Sequence, residues 1–117
     1  MIITPFDNTS ATFCKNLGVD AFKVSSADMV NFELLDLLGT FNLPIIVSTG
    51  MWGEPEIKVA ASHFRKNFAE KDVCMLLANS TYPTPYESIN LGYLTKLKEI
   101  HGIVGYSGHE RGTFIPT

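Results

Sequence analysis

Cysteine is scarce. Cys14 and Cys74 are the two in 117 residues, and both sit in apolar surroundings. That excludes a disulfide framework or a cysteine-rich zinc site, and it reads as two buried free thiols in a reducing compartment. Long apolar runs are missing too. The longest, VCMLLA from Val73 to Ala78, has six residues, far short of the ~20 that a membrane-crossing helix needs. No basic stripe exists: nine Lys and Arg face twelve Asp and Glu, spread along the chain, for a net charge of −3. Nucleic acid binding therefore has no electrostatic footprint. The opening MIITPFD carries no positive region and no apolar core of signal-peptide length, so the cytoplasm is the expected location. No internal repeat, low-complexity tract or linker interrupts the chain. What remains is ordinary globular composition, 45% hydrophobic and 18% charged, in a length that suits one core and not two.

Against that background one pattern recurs. In PIIVSTGM, residues 44 to 51, a run of apolar, mostly β-branched residues stops at Ser48, Thr49 and Gly50. Four other segments behave alike: IITPF before Asp7, DAFKVSS before Asp28, VCMLLANS up to Tyr82, and GIVGYSGH ending on Ser107, Gly108 and His109. Apolar runs without alternation fit strands buried on both faces, hence a parallel sheet.

Helical patterns alternate with them. NTSATFCKNLG offers Asn8 or Thr9 as N-cap, Phe13 and Leu17 four apart, and Gly18 as the stop. NFELLDLLGTF places Phe32, Leu35 and Leu38 on one face behind an Asn31 cap. EPEIKVAASHFRKNF opens on Glu54, Pro55 and Glu56 and closes on Arg65 and Lys66, as the helix dipole prefers. NLGYLTKLKEIHG spaces Leu91, Leu94, Leu97 and Ile100 ahead of Gly102. The expected class is α/β, in strand–helix units of roughly 20 to 30 residues. Two architectures compete: an open doubly wound sheet, or about half of an eight-stranded (β/α)8 barrel.

In either one, the C-terminal ends of parallel strands share an edge, and the polar residues gather there. They are Thr4 and Asp7, Ser25, Ser26 and Asp28, Ser48 and Thr49, Asn79, Ser80 and Tyr82, and Ser107 and His109. Hydroxyls, glycine amides and one strand lysine, Lys23, suit an anionic oxygen ligand such as phosphate or carboxylate. Each also has a plainer reading. A Ser, a Thr or Asp7 can cap the next helix, Lys23 can snorkel or pair with Asp28, and His109 can be a surface loop residue. Tyr82 and TYPTP can be a rigid turn. His63 and His101 read as helix or helix-end residues with no site role.

The strings TPFD (4 to 7), DAFKVSSAD (20 to 28), IIVSTGM (45 to 51), NSTYPTP (79 to 85), INL (89 to 91) and VGYSGHERG (104 to 112) occur in that order. Together they resemble the sialic acid (N-acetylneuraminate) synthase family, which also makes legionaminate and pseudaminate, over nearly the whole chain. The resemblance implies a partial (β/α)8 (TIM) barrel, about strands three to seven, across residues 1–117. It implies condensation of phosphoenolpyruvate with an N-acetylhexosamine, such as N-acetylmannosamine or its 6-phosphate, with release of phosphate. A divalent metal, Mn2+ or Mg2+, is the implied cofactor. Carried over by residue, Thr4, Lys23, Ser26, Ser48, Ser80 and Ser107 would contact phosphoenolpyruvate. Asp28 and Tyr82 would face the sugar, and His109 would ligate the metal.

The chain departs from the family pattern at Gly108, where aspartate is frequent, and at Ser80, where asparagine is. The resemblance further leads one to expect missing N-terminal strands, last strand and C-terminal antifreeze-like domain, and no catalysis by this piece alone. A homodimer would belong to the longer protein. Other readings remain at this point: a legionaminate, pseudaminate or spore-coat polysaccharide synthase of the same family, or a non-catalytic flavodoxin-like binding domain. The last would want a glycine-rich phosphate loop or an acidic cluster after its first strand, and TPFDN supplies neither.

Overall fold

Five short strands pair in parallel, in the order in which they occur along the chain. The computed structural model describes residues 1–69, 72–113 and 115. The strands are β1 (Ile2–Ile3), β2 (Ala21–Val24), β3 (Ile45–Ser48), β4 (Val73–Ala78) and β5 (Val104–Ser107). Helices α1 (Asn8–Asn16), α2 (Phe32–Thr40), α3 (Glu54–Asn67) and α4 (Tyr93–Ile100) lie between them. Single 3-10 turns follow β2 at Ser26–Asp28 and precede α4 at Tyr86–Ser88. A doubly wound sheet reverses its strand order at a switch point. Here no reversal occurs, so of the two competing architectures this is the sequential order of a βα barrel.

Register and side-chain alternation separate two faces. Phe22, Ile45 and Val73 align across β2, β3 and β4, as do Val24, Val47 and Met75 one step on. All six are at most 1% exposed. They pack in one core with Leu34, Leu35 and Leu38 of α2 and Ile57, Ala60 and Phe64 of α3. Each such side chain contributes about 1.5–3 kcal/mol of burial. The alternate set carries Lys23 opposite Ile46 opposite Cys74, then Ser48 opposite Leu76 opposite Gly105. Of these, Lys23, Ile46, Cys74, Leu76 and Gly105 are half-buried. This corrects the expectation of strands buried on both faces: the helices cover one face, and the other is the concave lining. It also corrects the thiols. Both cysteines are free, but Cys14 is buried under α1 and Cys74, on the concave face, is half-buried.

Local chemistry sets the element ends. Asp7, not Asn8 or Thr9, caps α1: its carboxylate accepts from Ser10 N and from Ser10 Oγ, each at 2.7 Å. Asp7 is the last extended residue before the helix, whereas Asn8 is already helical and its amide donates to Glu33 at 2.8 Å. The Ser10 hydrogen bonds hold the Asp7 carboxyl below its ordinary range. Past α1, Gly18 takes φ +78°, the left-handed conformation that ends a helix most cheaply with glycine. Asn31 caps α2 as its position suggests, accepting from Leu34 N at 3.3 Å. Pro55 sits in the first turn of α3, and Arg65 in its last turn donates to Ile100 O at 2.8 Å, tying α3 to the end of α4. Helix α4 is shorter than its leucine spacing suggests: Leu91 precedes it and is 38% exposed, while Leu97 is the buried residue. Among the described residues no helix is long and apolar enough to cross a membrane.

Candidate active site

The C-terminal ends of all five strands open into one cleft of about 550 Å³. Thr4 reaches it from just past β1, Lys23 from β2, Ser26 from the turn after β2, and Ser48 from the end of β3. Ser80 and Tyr82 line it from the segment after β4, and Ser107 and His109 from the end of β5 and just beyond. Eight of the nine residues that the family resemblance gives a site role thus share one mouth, while Asp7, Thr49 and Asn79 of the strand-end set do not line it. Among the described lining residues there is no Asp or Glu. A cation and several hydroxyls without a competing carboxylate make a cleft that favours anionic oxygens.

Asp28 is not among the lining residues. Its Oδ2 accepts from Ser25 Oγ at 2.6 Å, and Asn31 Nδ2 lies 3.3 Å from its Oδ1. The Lys23–Asp28 pairing that the sequence left open does not form. Instead Lys23 Nζ donates to Ser48 Oγ at 2.6 Å and to Val24 O at 2.9 Å. Two of three ammonium donors are used, both on neutral oxygens. Burial without a counter-charge pushes the Lys23 pKa below its ordinary value.

Ser26 is fixed from two sides. Its Oγ accepts from Gly50 N at 3.0 Å, and its carbonyl accepts from the Trp52 indole Nε1 at 2.6 Å. With its acceptor side engaged by an amide, the hydroxyl hydrogen remains to be given to a ligand. Gly50 is closely enclosed: a Cβ there would come within 2.9 Å of Ser80 Oγ and 3.1 Å of Ala78 O, so one of them would have to give way. The glycine of STGM therefore lets the β3 and β4 ends close on each other. Trp52 escaped the sequence reading. Its one signal is position, as the sole tryptophan, two residues beyond that glycine.

His109 is oriented by a carbonyl. Its Nδ1 lies 2.6 Å from Asn79 O, and since a carbonyl can only accept, Nδ1 carries the proton. The Nε2 lone pair then faces the Tyr82 hydroxyl at 3.2 Å, with the two rings 4.1 Å apart between centroids. This is the tautomer of a metal-binding imidazole whose outer nitrogen is held by backbone. It is a fit for one ligand and not for a set: among the described residues no three His, Cys, Asp or Glu side chains cluster. His63 and His101 lie elsewhere. His63 bonds Asp36 at 2.7 Å on the helical side, and buried His101 bonds Val73 O at 2.8 Å.

The next residues on the same strand end form a separate pair. Tyr106 donates to Glu110 Oε2 at 2.8 Å. Burial and the Glu110 carboxylate push the Tyr106 pKa up to about 12, so the phenol stays protonated.

A sequential parallel sheet with an anion-favouring cleft at its strand ends defines the βα-barrel class of fold. Comparison with known proteins takes this further. Residues 1–117 match the NeuB family, and the chain belongs to it. It is 36% identical over 114 residues to an N,N'-diacetyllegionaminic acid synthase of Campylobacter jejuni, spanning 96% of this chain and 34% of that protein. It is 31% identical over 116 residues to a pseudaminic acid synthase of Helicobacter pylori, spanning 97% of this chain and 33% of that one. The structure superimposes with a TM-score of 0.88 on an N-acetylneuraminic acid (sialic acid) synthetase from Leptospira borgpetersenii, solved with citrate, at 33% identity. That match covers 97% of this chain and 39% of the other. The chain thus spans about a third of the length of the curated relatives it matches.

Proposed function

We propose that the chain carries the phosphoenolpyruvate-binding part of a site that condenses this donor with an N-acetylhexosamine and releases phosphate. One observation carries the reading: Lys23 stands in a cleft of hydroxyls with no carboxylate among its described lining residues and with its ammonium on two neutral oxygens. A half-buried cation so arranged is short of an anion, and phosphoenolpyruvate presents two, a phosphate and a carboxylate. Thr4, Ser26, Ser48, Ser80 and Ser107 surround it with hydroxyl donors. These groups bind and orient the donor, and Lys23 stabilises negative charge as the phosphate leaves.

Tyr82 stands at the rim, 72% exposed, where an acceptor sugar would meet the cleft. Asp28 serves the sugar by exchanging its Ser25 bond for a sugar hydroxyl. His109 would supply one bond to a divalent cation through Nε2, with Asn79 O holding the ring in place. Bound there, Mn2+ or Mg2+ would polarise the carbonyl oxygen of the acceptor. The described residues offer no further ligand cluster, so no step is assigned through the metal.

A thermal melt of the chain with and without phosphoenolpyruvate tests the donor half of this reading. Ligand at 100 times its Kd adds about 2.7 kcal/mol to the folded state. The expected result is a raised midpoint in the parent and none in Lys23→Ala, which is otherwise folded. An equal rise in both, or none in the parent, refutes the assignment.

A further inference from the structure

Behind the anion cleft, on the helix-covered face of the sheet, lies a second cleft of about 280 Å³. It is bounded by the start of α3, the outward side chains of β4 and β5, and the segment that leads into α4. We propose that it binds a neutral monosaccharide ring.

Four features point to that class. Three aromatic side chains, Trp52, Tyr93 and Tyr106, wall the cleft, and the CH faces of a sugar pack on such rings. The Asn90 amide and the Ser88 hydroxyl supply both donors and acceptors, while the Asn79 amide is held by Ser88 O at 3.2 Å and Thr81 N at 2.9 Å. The Tyr93 hydroxyl is buried and, among the described residues, has no hydrogen-bond partner. A buried hydroxyl left so is costly, and a ligand hydroxyl would satisfy it. Finally, among the described residues no Lys, Arg or His lines the cleft, and the carboxylate that does, Glu54, is already engaged by Lys58 at 2.6 Å and Lys96 at 2.5 Å. An anion finds no cation here, and a cation finds a carboxylate already paired. The volume lies just under the ~300 Å³ at which pockets begin to hold drug-sized ligands, which suits a single ring.

The place of this cleft gives its ligand a reach into the first. Trp52 walls it while its indole N–H holds Ser26 O. Asn79 lines it while its carbonyl holds His109 Nδ1. A sugar seated there touches the two residues that fix Ser26 and His109.

Trp52 is also the sole tryptophan, so its emission reports occupancy directly. The test titrates the chain with methyl glucoside into the high-millimolar range, with cyclohexanol as a second arm. Methyl glucoside is locked as a ring and has no aldehyde to give, so it cannot act as the acceptor in the proposed condensation. The expected result is a saturable shift of Trp52 emission. In Tyr93→Phe the affinity falls about three- to ten-fold, the loss of one hydrogen bond. In Ile89→Phe, which fills the cleft from its loop side, the shift disappears. Phosphoenolpyruvate still raises the midpoint of both variants, so failure here is distinct from failure of the anion site. No saturable shift means the cleft holds water only and overturns the proposal. So does a shift that both variants retain, or one that cyclohexanol produces and methyl glucoside does not.

Discussion

At the scale of single residues, the response of the anion cleft to pH follows from the surroundings of Lys23. Burial without a counter-ion lowers its pKa from the ordinary 10.5, so it loses its proton at a lower pH than a surface lysine does. Phosphate affinity should fall as pH rises through that lowered value, while phosphate itself keeps its charge. The sign for the fold is opposite. Between the lowered folded pKa and the unfolded one, the unfolded chain holds more protons, so the ligand-free protein gains stability as pH rises. Melts taken across the alkaline range with and without inorganic phosphate should therefore converge from both sides. Parallel curves would refute the assignment. Lys23 and Ser48 were legible in the sequence because a lysine in an apolar run and a hydroxyl at a strand end are each anomalous. Two contacts were not legible. Asp28 turns to Ser25, and Trp52 reaches back 26 positions to Ser26. The first is a choice between a neighbour three residues away and Lys23, which spacing alone does not decide, and the second depends on how two loops meet.

At the scale of elements, α2 shows packing overriding propensity. Gly39 lies in its last turn, where alanine would favour the helix by up to about 1 kcal/mol. Yet a Cβ there would meet the Phe68 ring at 2.5 Å. That ring packs edge-on to Phe64, 5.7 Å between centroids, so it cannot retreat freely. Overpacking of this kind costs about 1–3 kcal/mol. Gly39→Ala should therefore lower stability by about 1 kcal/mol net in a denaturant titration, and a gain would show that Phe68 yields. Helix identity was readable from caps and apolar spacing, as Asn31 and Pro55 show. The extent of α4 was not. Its leucines keep the right period from Leu91, but the preceding 3-10 turn at Tyr86–Ser88 delays the start to Tyr93.

At the scale of the whole molecule, the helices cover one face of the sheet and leave the other half-buried. The radius of gyration is 14.2 Å and the extents are 40 × 27 × 21 Å, against about 13.4 Å for a compact chain of this length. Among the described residues, β1 and β5 each pair on one side alone. Unpaired parallel edges invite further pairing. Sedimentation of the chain at rising concentration should show association, reduced by Ile2→Lys, which places a charge on the β1 edge where Ile2 is 58% exposed. Association unchanged by that substitution would place the contact elsewhere. The alternation of strand and helix revealed the sheet from sequence. That one face stays half-buried was hidden, because Ile46, Cys74 and Leu76 look as apolar as the residues that helices cover.

The strand order has a kinetic consequence. Every strand pairs with the strand that precedes it in the chain, so registered partners lie roughly 20 to 30 residues apart and loop closure stays inexpensive at each step. A chain emerging from the ribosome can add each strand–helix unit to the edge already formed, without waiting for a distant segment. Within these five strands, growth of the sheet then follows chain order, and Ser107 and His109 reach the anion cleft after the residues that β1 to β4 bring to it.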